Sequence, residues 1–222
     1  MSALETPART RKFKGLDADQ RQAERRARLI EAGLERFGGH GFQSTTVKDV
    51  CKEAKLTERY FYESFANREE LFAAVYEQCV ANLREQLLGV LSAHPPDAKA
   101  MTQTALRMLY GALRDDPRIA RVLFIDVLSA HGDMDKHSLN ALQGFTDLLQ
   151  SYMQLLYPQI AKAQLNATLI STGLVGAVVL LVTRWTITGF KEPLEEMVRN
   201  SAVFFEALVL QIDQCCPAPQ RS

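Results

Sequence analysis

Arg59 carries a planar fork of N–H donors and Lys48 a compact ammonium, the two side chains that pair with guanine O6 and N7 or neutralise phosphate. Tyr60 and Tyr62 add hydroxyls for phosphate and rings for thymine methyls. Glu58 adds a carboxylate that can accept from the cytosine amine. All five fall in the window Thr45–Phe65, T-T-V-K-D-V-C-K-E-A-K-L-T-E-R-Y-F-Y-E-S-F. Val47, Val50, Cys51 and Ala54 recur at helical spacing, with Thr45 and Thr46 as the cap before them. A turn falls at Lys55-Leu56. Thr57 is the next cap, because its hydroxyl can accept from an amide of the following turn. The second helix, about residues 58–64, then presents its first residues outward. Two short helices with a tight turn can set the second in a major groove, with amide-bearing helix ends against phosphates. On pattern alone, a purely structural helical hairpin stays open.

The elements around this window read as helices throughout. Ala27, Leu29, Ile30, Leu34 and Phe37 predict a helix over 21–38, stopped by Gly38, Gly39 and Gly41. Asn67 caps a long fourth helix with Leu71, Phe72, Val75, Tyr76, Cys79 and Leu83 on its inner face. Asp97 caps a helix to about Arg114, Pro117 opens one to about Ala130, and others are expected over 136–156, 159–188 and from Pro193 to about Gln214. No segment alternates with period two between hairpin turns. The expected fold is all-α, with nine or ten helices.

The chain has 222 residues, 47% of them apolar, with 26 basic and 26 acidic side chains. Such a composition buries a core without staples, and excludes disordered, collagenous and disulfide-stapled classes. Bulk charge does not point to nucleic acid, so any DNA-binding surface must come from local clustering. Residues 1–30 supply some. Arg9, Arg11, Lys12, Lys14, Arg21, Arg25, Arg26 and Arg28 stand there against Glu5, Asp17, Asp19 and Glu24. Residues 1–20, with Pro7 and Gly15, read as a flexible basic arm in which Arg11, Lys12 and Lys14 can follow phosphates or a minor groove. Cys51, Cys79, Cys215 and Cys216 match neither a zinc site nor a disulfide framework. With no leader-like apolar run before the arm, the expected location is the cytoplasm.

The stretch from about Ala23 to Ala81 resembles the DNA-binding domain of the TetR (tetracycline repressor) family. The residues that carry the resemblance are Leu29–Phe37, Gly41-Phe42, Thr45-Thr46-Val47, Ala54-Lys55-Leu56-Thr57, Phe61-Tyr62, Phe65 and Asn67-Arg68-Glu69-Glu70-Leu71. It implies a three-helix helix-turn-helix domain over 21–83, with the helix-turn-helix at 46–65. A helical effector-binding and dimerisation domain over 84–216 and a tail at 217–222 would follow. It implies a sequence-specific transcriptional regulator, not an enzyme, with no cofactor. It would be a repressor released from a palindromic operator by a small molecule. The alternative is an all-α binding or assembly protein with a structural hairpin. Residue by residue, Thr46 matches a helix cap that touches phosphate, and Lys48 a base or phosphate contact. Thr57, Glu58, Arg59, Tyr60 and Tyr62 match the recognition helix and its cap, and Arg68 the usual lysine that grips phosphate. Lys55 departs from the family's turn glycine, so the turn must find a left-handed conformation at some cost, or a different geometry. Ser64 replaces the common histidine or tyrosine, and Cys51 the usual alanine.

The rest of the chain offers weaker signals. Met108, Phe124, Phe145, Tyr152 and Trp185 are candidates for contact with an effector among the middle helices. Gly173, Gly176 and Ala177 share one helix face, and small residues let helices approach closely. In the family the last two long helices of each subunit form a four-helix interface. That suggests Leu169, Gly173, Gly176, Ala177, Leu180, Val203, Ala207 and Leu210 as contacts in a homodimer. No charge lies between Lys162 and Arg184, but Gln164, Asn166, Thr168, Ser171, Thr172 and Thr183 interrupt that run, so it reads as a buried or interface helix and no membrane partner is expected. His131, Asp133, Asp135 and His137 gather metal-type ligands without the spacing that would orient them, and read as a polar connection with no metal.

Overall fold

The computed structural model describes residues 13–93, 97–130, 134–157, 160 and 165–215. Nine α-helices follow one another among them: α1 (Phe13–His40), α2 (Val47–Ala54), α3 (Glu58–Tyr62), α4 (Arg68–Ala93), α5 (Ala98–Asp115), α6 (Pro117–Phe124), α7 (Met134–Leu156), α8 (Ala167–Ile187) and α9 (Leu194–Cys215). A 3₁₀ turn at Asp126–Leu128 follows α6, and no strand occurs among the described residues.

Helices α1–α3 and the start of α4 enclose an aromatic core. Phe37, Phe42 and Phe72 meet with ring centroids 4.8 to 5.7 Å apart, and Phe61 packs on Phe65 at 5.9 Å. Leu29, Val50 and Leu71 fill in around them. The same core continues through Tyr110 and Leu113 of α5 and Ala120 and Val122 of α6 to Trp185 of α8. Helix α6 packs on α1, α4, α5 and α8, α5 on α9, and α7 on α8. Between α5 and α9 a buried Tyr110 hydroxyl meets Ser201 Oγ at 2.6 Å, and Arg107 forks onto Glu195 at 2.9 and 2.7 Å.

The local signals act as their chemistry dictates. Thr46 caps α2 in a reciprocal box: its hydroxyl accepts from Asp49 N–H, and the Asp49 carboxylate accepts from Thr46 N–H. Asn67 accepts from Glu70 N–H, Asp97 from Lys99 N–H, and Asp116 from Arg118 N–H ahead of Pro117. Thr57 takes the cap position of α3 but makes no side-chain capping bond. Lys55 is left-handed, with φ 53° and ψ 44°.

Three helices differ in their boundaries from the sequence-based expectation. Helix α1 begins at Phe13, not 21, because a lone Gly15 costs a helix only about 1 kcal/mol and no proline follows Pro7 until Pro95. It also runs through Gly38 and Gly39 to His40, since glycine weakens a helix without ending it. Gly38 is there for space: a Cβ would sit 2.7 Å from the Arg118 backbone of α6. Helix α6 ends at Phe124, not near Ala130, and Asp126 turns inward. Helix α8 starts at Ala167, where Asn166 accepts from Leu169 N–H, not at 159.

Candidate nucleic-acid interface and effector cavity

The buried Phe61 and Phe65 pin α3 to the core and thereby set what faces out. Thr57, Glu58, Arg59 and Tyr62 are exposed, Tyr62 at 58%, as are Thr46 and Lys48 at and near the start of α2. Tyr60 is half-buried under the Arg25 guanidinium of α1, 4.5 Å from its ring centroid. The predicted contacts are thus brought to the outer side of one small unit, with two qualifications. Arg11 and Lys12 lie outside the described residues, and Lys14 is described only as part of the α1 backbone. Arg68 does not stand with Arg59. Its guanidinium folds over the Phe42 ring at 4.2 Å, donates to the Phe42 and Thr45 carbonyls at 3.2 and 3.0 Å, and pairs with Glu69.

Arg68 is therefore one of several side chains that fix the turn ahead of α2. Thr45, fully buried, donates to the carbonyls of Gly41 and Arg36. From the other side, the buried Asp126 carboxylate accepts from Phe42 N–H at 3.1 Å and pairs with Arg121 at 3.4 Å. Gln43 donates to the Ser129 carbonyl. Gly41 has φ +92°, and a Cβ there would lie 2.6 Å from the Arg121 guanidinium. So both backbone groups of Phe42 are held by side chains, the carbonyl from α4 and the N–H from the segment after α6. The joint itself is invisible in local sequence, since Phe42 and Asp126 are 84 residues apart.

The two carboxylates that bound α6 are perturbed in opposite directions. The Arg118 side chain beside Asp116 holds its carboxyl below the usual range, the main cause being their hydrogen bond. Burial raises that of Asp126, against the pull of Arg121 and of Phe42 N–H. Burial also raises the Cys51 thiol, and takes the Cys79 thiol up to about 12, so both are unreactive thiols at neutral pH.

A cavity of about 230 Å³ lies among α4–α9. Met108, Phe124, Phe145 and Tyr152 line it. Trp185 does not: it packs edge-on against Tyr110 and Phe190, donates to the Glu192 carbonyl, and belongs to the core. Its place on the wall is taken by aliphatic residues of α8, Val175, Val178 and Val182 among them. Among the described residues no Asp, Glu, Lys, Arg or His lines the cavity, and the polar lining residues are Thr102 and three tyrosines. Leu123 and Phe124 of α6 form part of the wall, one turn from Arg121 and the Asp126 joint. Among the described residues no cluster suits a metal ion. His137 pairs with Glu77 at 2.8 Å, while His131 and Asp133 lie outside the described residues.

Helices α8 and α9 leave apolar side chains uncovered. Leu169 and Leu180 are each 70% exposed, Leu210 62% and Val203 54%. Gly173, Gly176 and Ala207 are exposed as well, and a Cβ at either glycine would touch nothing; Ala177 is half-buried. Ile187 and Phe204 extend this surface beyond the residues that sequence pattern suggests. Helix α8 is long and apolar enough to cross a membrane by length and composition, and little of it is buried within the chain.

Comparison with known proteins agrees with this architecture. The family described as "Bacterial regulatory proteins, tetR family" matches residues 29–75, the span from α1 through the helix-turn-helix into α4. The chain is similar to an uncharacterized HTH-type transcriptional regulator, YdgC of Bacillus subtilis, with 25% identity over 77% of this chain and 85% of that protein. In structure it is similar to the fatty acid degradation regulator FadR of Bacillus halodurans, with a TM-score of 0.71 and 16% identity over 80% of this chain and 92% of that one. It is likewise similar to FadR of Bacillus subtilis, solved in complex with stearoyl-CoA, with a TM-score of 0.68 and 18% identity over 82% and 97%. At these identities the structural likeness speaks to the fold.

Proposed function

We infer that this chain, a member of the TetR family of bacterial regulators and so a DNA-binding transcriptional regulator, acts as a cytoplasmic repressor that leaves a two-fold operator when an apolar small molecule fills its cavity. One observation carries the inference. The wall of a cavity lined, among the described residues, by apolar side chains is built partly from Leu123 and Phe124, and the same segment, through Arg121 and Asp126, holds the backbone of Phe42 ahead of α2. A ligand that needs a different α6 position must move the turn that orients the reading helix. By linkage, its affinity then falls when DNA is bound, and DNA affinity falls when it is bound.

The lining selects the ligand class. A wall whose described residues are almost all apolar favours an alkyl or acyl chain, since burying apolar surface contributes about 0.8 kcal/mol per methylene. An anionic head would stay at the mouth, because burying it unpaired costs far more. The stearoyl-CoA found in FadR of Bacillus subtilis is a ligand of this kind.

Two copies are required for specificity. A five-residue reading helix reaches only a few base pairs, and a two-fold pair reads two half-sites. The uncovered faces of α8 and α9 are the surface we assign to the partner, since contiguous exposed apolar area marks association sites. Selection of binding sites from a random duplex library tests the reading. An inverted repeat with half-sites about one helical turn apart, and affinity falling steeply with salt, is expected. Salt-sensitive binding with no enriched sequence would contradict it.

A further inference from the structure

We infer that Glu63 is a specificity-determining positioning residue, which holds Arg59 ready for its base and is itself held by Arg25. The inference rests on the DNA-reading role of α3 given above. Glu63 sits one turn after Arg59, and its carboxylate takes the Arg59 Nε at 3.1 Å. The other carboxylate oxygen lies 3.7 Å from the Arg25 guanidinium of α1. Arg25 is fixed in turn by its stack on Tyr60, 4.5 Å from the ring centroid, and Gln22 donates to the Glu63 carbonyl at 3.4 Å. Four side chains and one backbone group thus tie the middle and C-terminal end of the reading helix to α1.

The geometry leaves Arg59 divided. Its Nε is engaged, while its side chain is 84% exposed and its two terminal nitrogens have no partner among the described residues. Those two nitrogens are the pair that an end-on guanidinium offers to guanine O6 and N7. A free arginine must freeze several torsions to make that contact, at a cost in side-chain entropy. An Nε already bonded to a fixed carboxylate has frozen most of them beforehand. Arg25 matters because an exposed i, i+4 pair alone is weakly ordered. A third group pinning the carboxylate removes its freedom to swing.

A carboxylate this near DNA also repels phosphate. Glu63 therefore lowers sequence-blind affinity while it raises discrimination. This opposed pair of effects separates a positioning role from a structural one, because a residue that merely holds α3 together lowers both when removed.

The test uses the full chain and its selected inverted repeat. Arg59→Ala first identifies the base pair whose identity it relaxes. Affinities for the matched site, the site mutated at that pair, and random duplex are then measured for Glu63→Ala, Glu63→Gln and Arg25→Ala. Glu63→Ala is expected to lose discrimination at that same pair by roughly five- to hundredfold, the range of a two-bond arginine–guanine contact. Its affinity for random duplex should rise. Adding Glu63→Ala to Arg59→Ala should change discrimination no further, as expected for two residues acting as one unit. Glu63→Gln, which keeps an acceptor for Nε, should retain part of the discrimination, and Arg25→Ala should lose part. Full discrimination in Glu63→Ala while Arg59→Ala loses it overturns the proposal, as does a parallel fall in specific and random binding. Failure of the wild-type chain to select any site would instead remove the DNA-reading premise and the proposal with it.

Discussion

The reading head and the body behind it treat their apolar residues in opposite ways. In α1–α3 the aromatic side chains close on one another, with Phe37, Phe42, Phe61 and Phe65 all almost fully buried. What is left outside is polar and aimed: Lys48, Arg59, Tyr62. In α4–α9 the apolar residues outnumber the places to bury them. Some line a cavity, and Leu169, Leu180 and Leu210 are exposed on the single chain. A surface that meets one unchanging polymer is specified by what is present at fixed positions. A surface that meets a particular ligand or a second copy is specified by what is left unpacked.

The largest effect expected from this contrast is on the body. Leu169→Lys with Leu180→Lys puts two charges on the uncovered face of α8, and should give a monomer by analytical ultracentrifugation. Operator affinity should drop to the sequence-blind level, roughly a thousandfold or more. A dimer that survives both changes would move the interface elsewhere. On the head, Arg59→Ala with Lys48→Ala should weaken operator binding by about 2–5 kcal/mol by fluorescence anisotropy, with the melting temperature nearly unchanged, because both side chains are exposed. Full palindrome binding in that double variant would show that other residues read the site.

At the joint the contrast can be sharpened. Asp126→Ala leaves the Phe42 N–H without its acceptor, and should cost about 1–3 kcal/mol of stability in urea unfolding. It should also weaken the effect of effector on DNA affinity, since the link between cavity wall and turn is cut. The smallest effect belongs to the turn. Lys55→Gly relieves a left-handed lysine and should raise stability by about 0.5–1 kcal/mol, with DNA discrimination unchanged. A loss of stability would mean that the lysine side chain contributes something there that the backbone geometry does not show.

The sequence read the head well because its information is local. Thr46 and Asp49 are three residues apart, the turn follows at once, and Phe61 and Phe65 share one face, so spacing alone reports caps, turn and exposed side. Lys55 announces its own strain by standing where glycine would be easy. Arg68 misled, since a cation at a helix start looks the same whether it faces phosphate or bends back to the Phe42 carbonyl. Trp185 misled too: an aromatic among apolar helices looks alike in core and cavity until its indole N–H finds the Glu192 carbonyl. The Phe42–Asp126 joint and the clamp of Arg25 on Glu63 each depend on chain segments far apart in sequence. One hint of the clamp was available, because Gln22, Arg25 and Arg26 share a helix face with the buried Leu29. The start of α8 was legible in Asn166, but the long apolar run around it suggested an earlier beginning.

The most direct test is operator release by ligand, measured by anisotropy for the wild-type chain and for Ala105→Trp, which fills the cavity from α5. Fatty acyl-CoA esters of increasing chain length are the probes. The expected result is release by the wild-type chain, at concentrations that fall as the acyl chain grows to fill the cavity. The tryptophan variant should bind operator normally and hold it at the same ligand concentrations. Operator affinity unmoved by saturating acyl ligand of every length, or equal release from both proteins, would contradict the account.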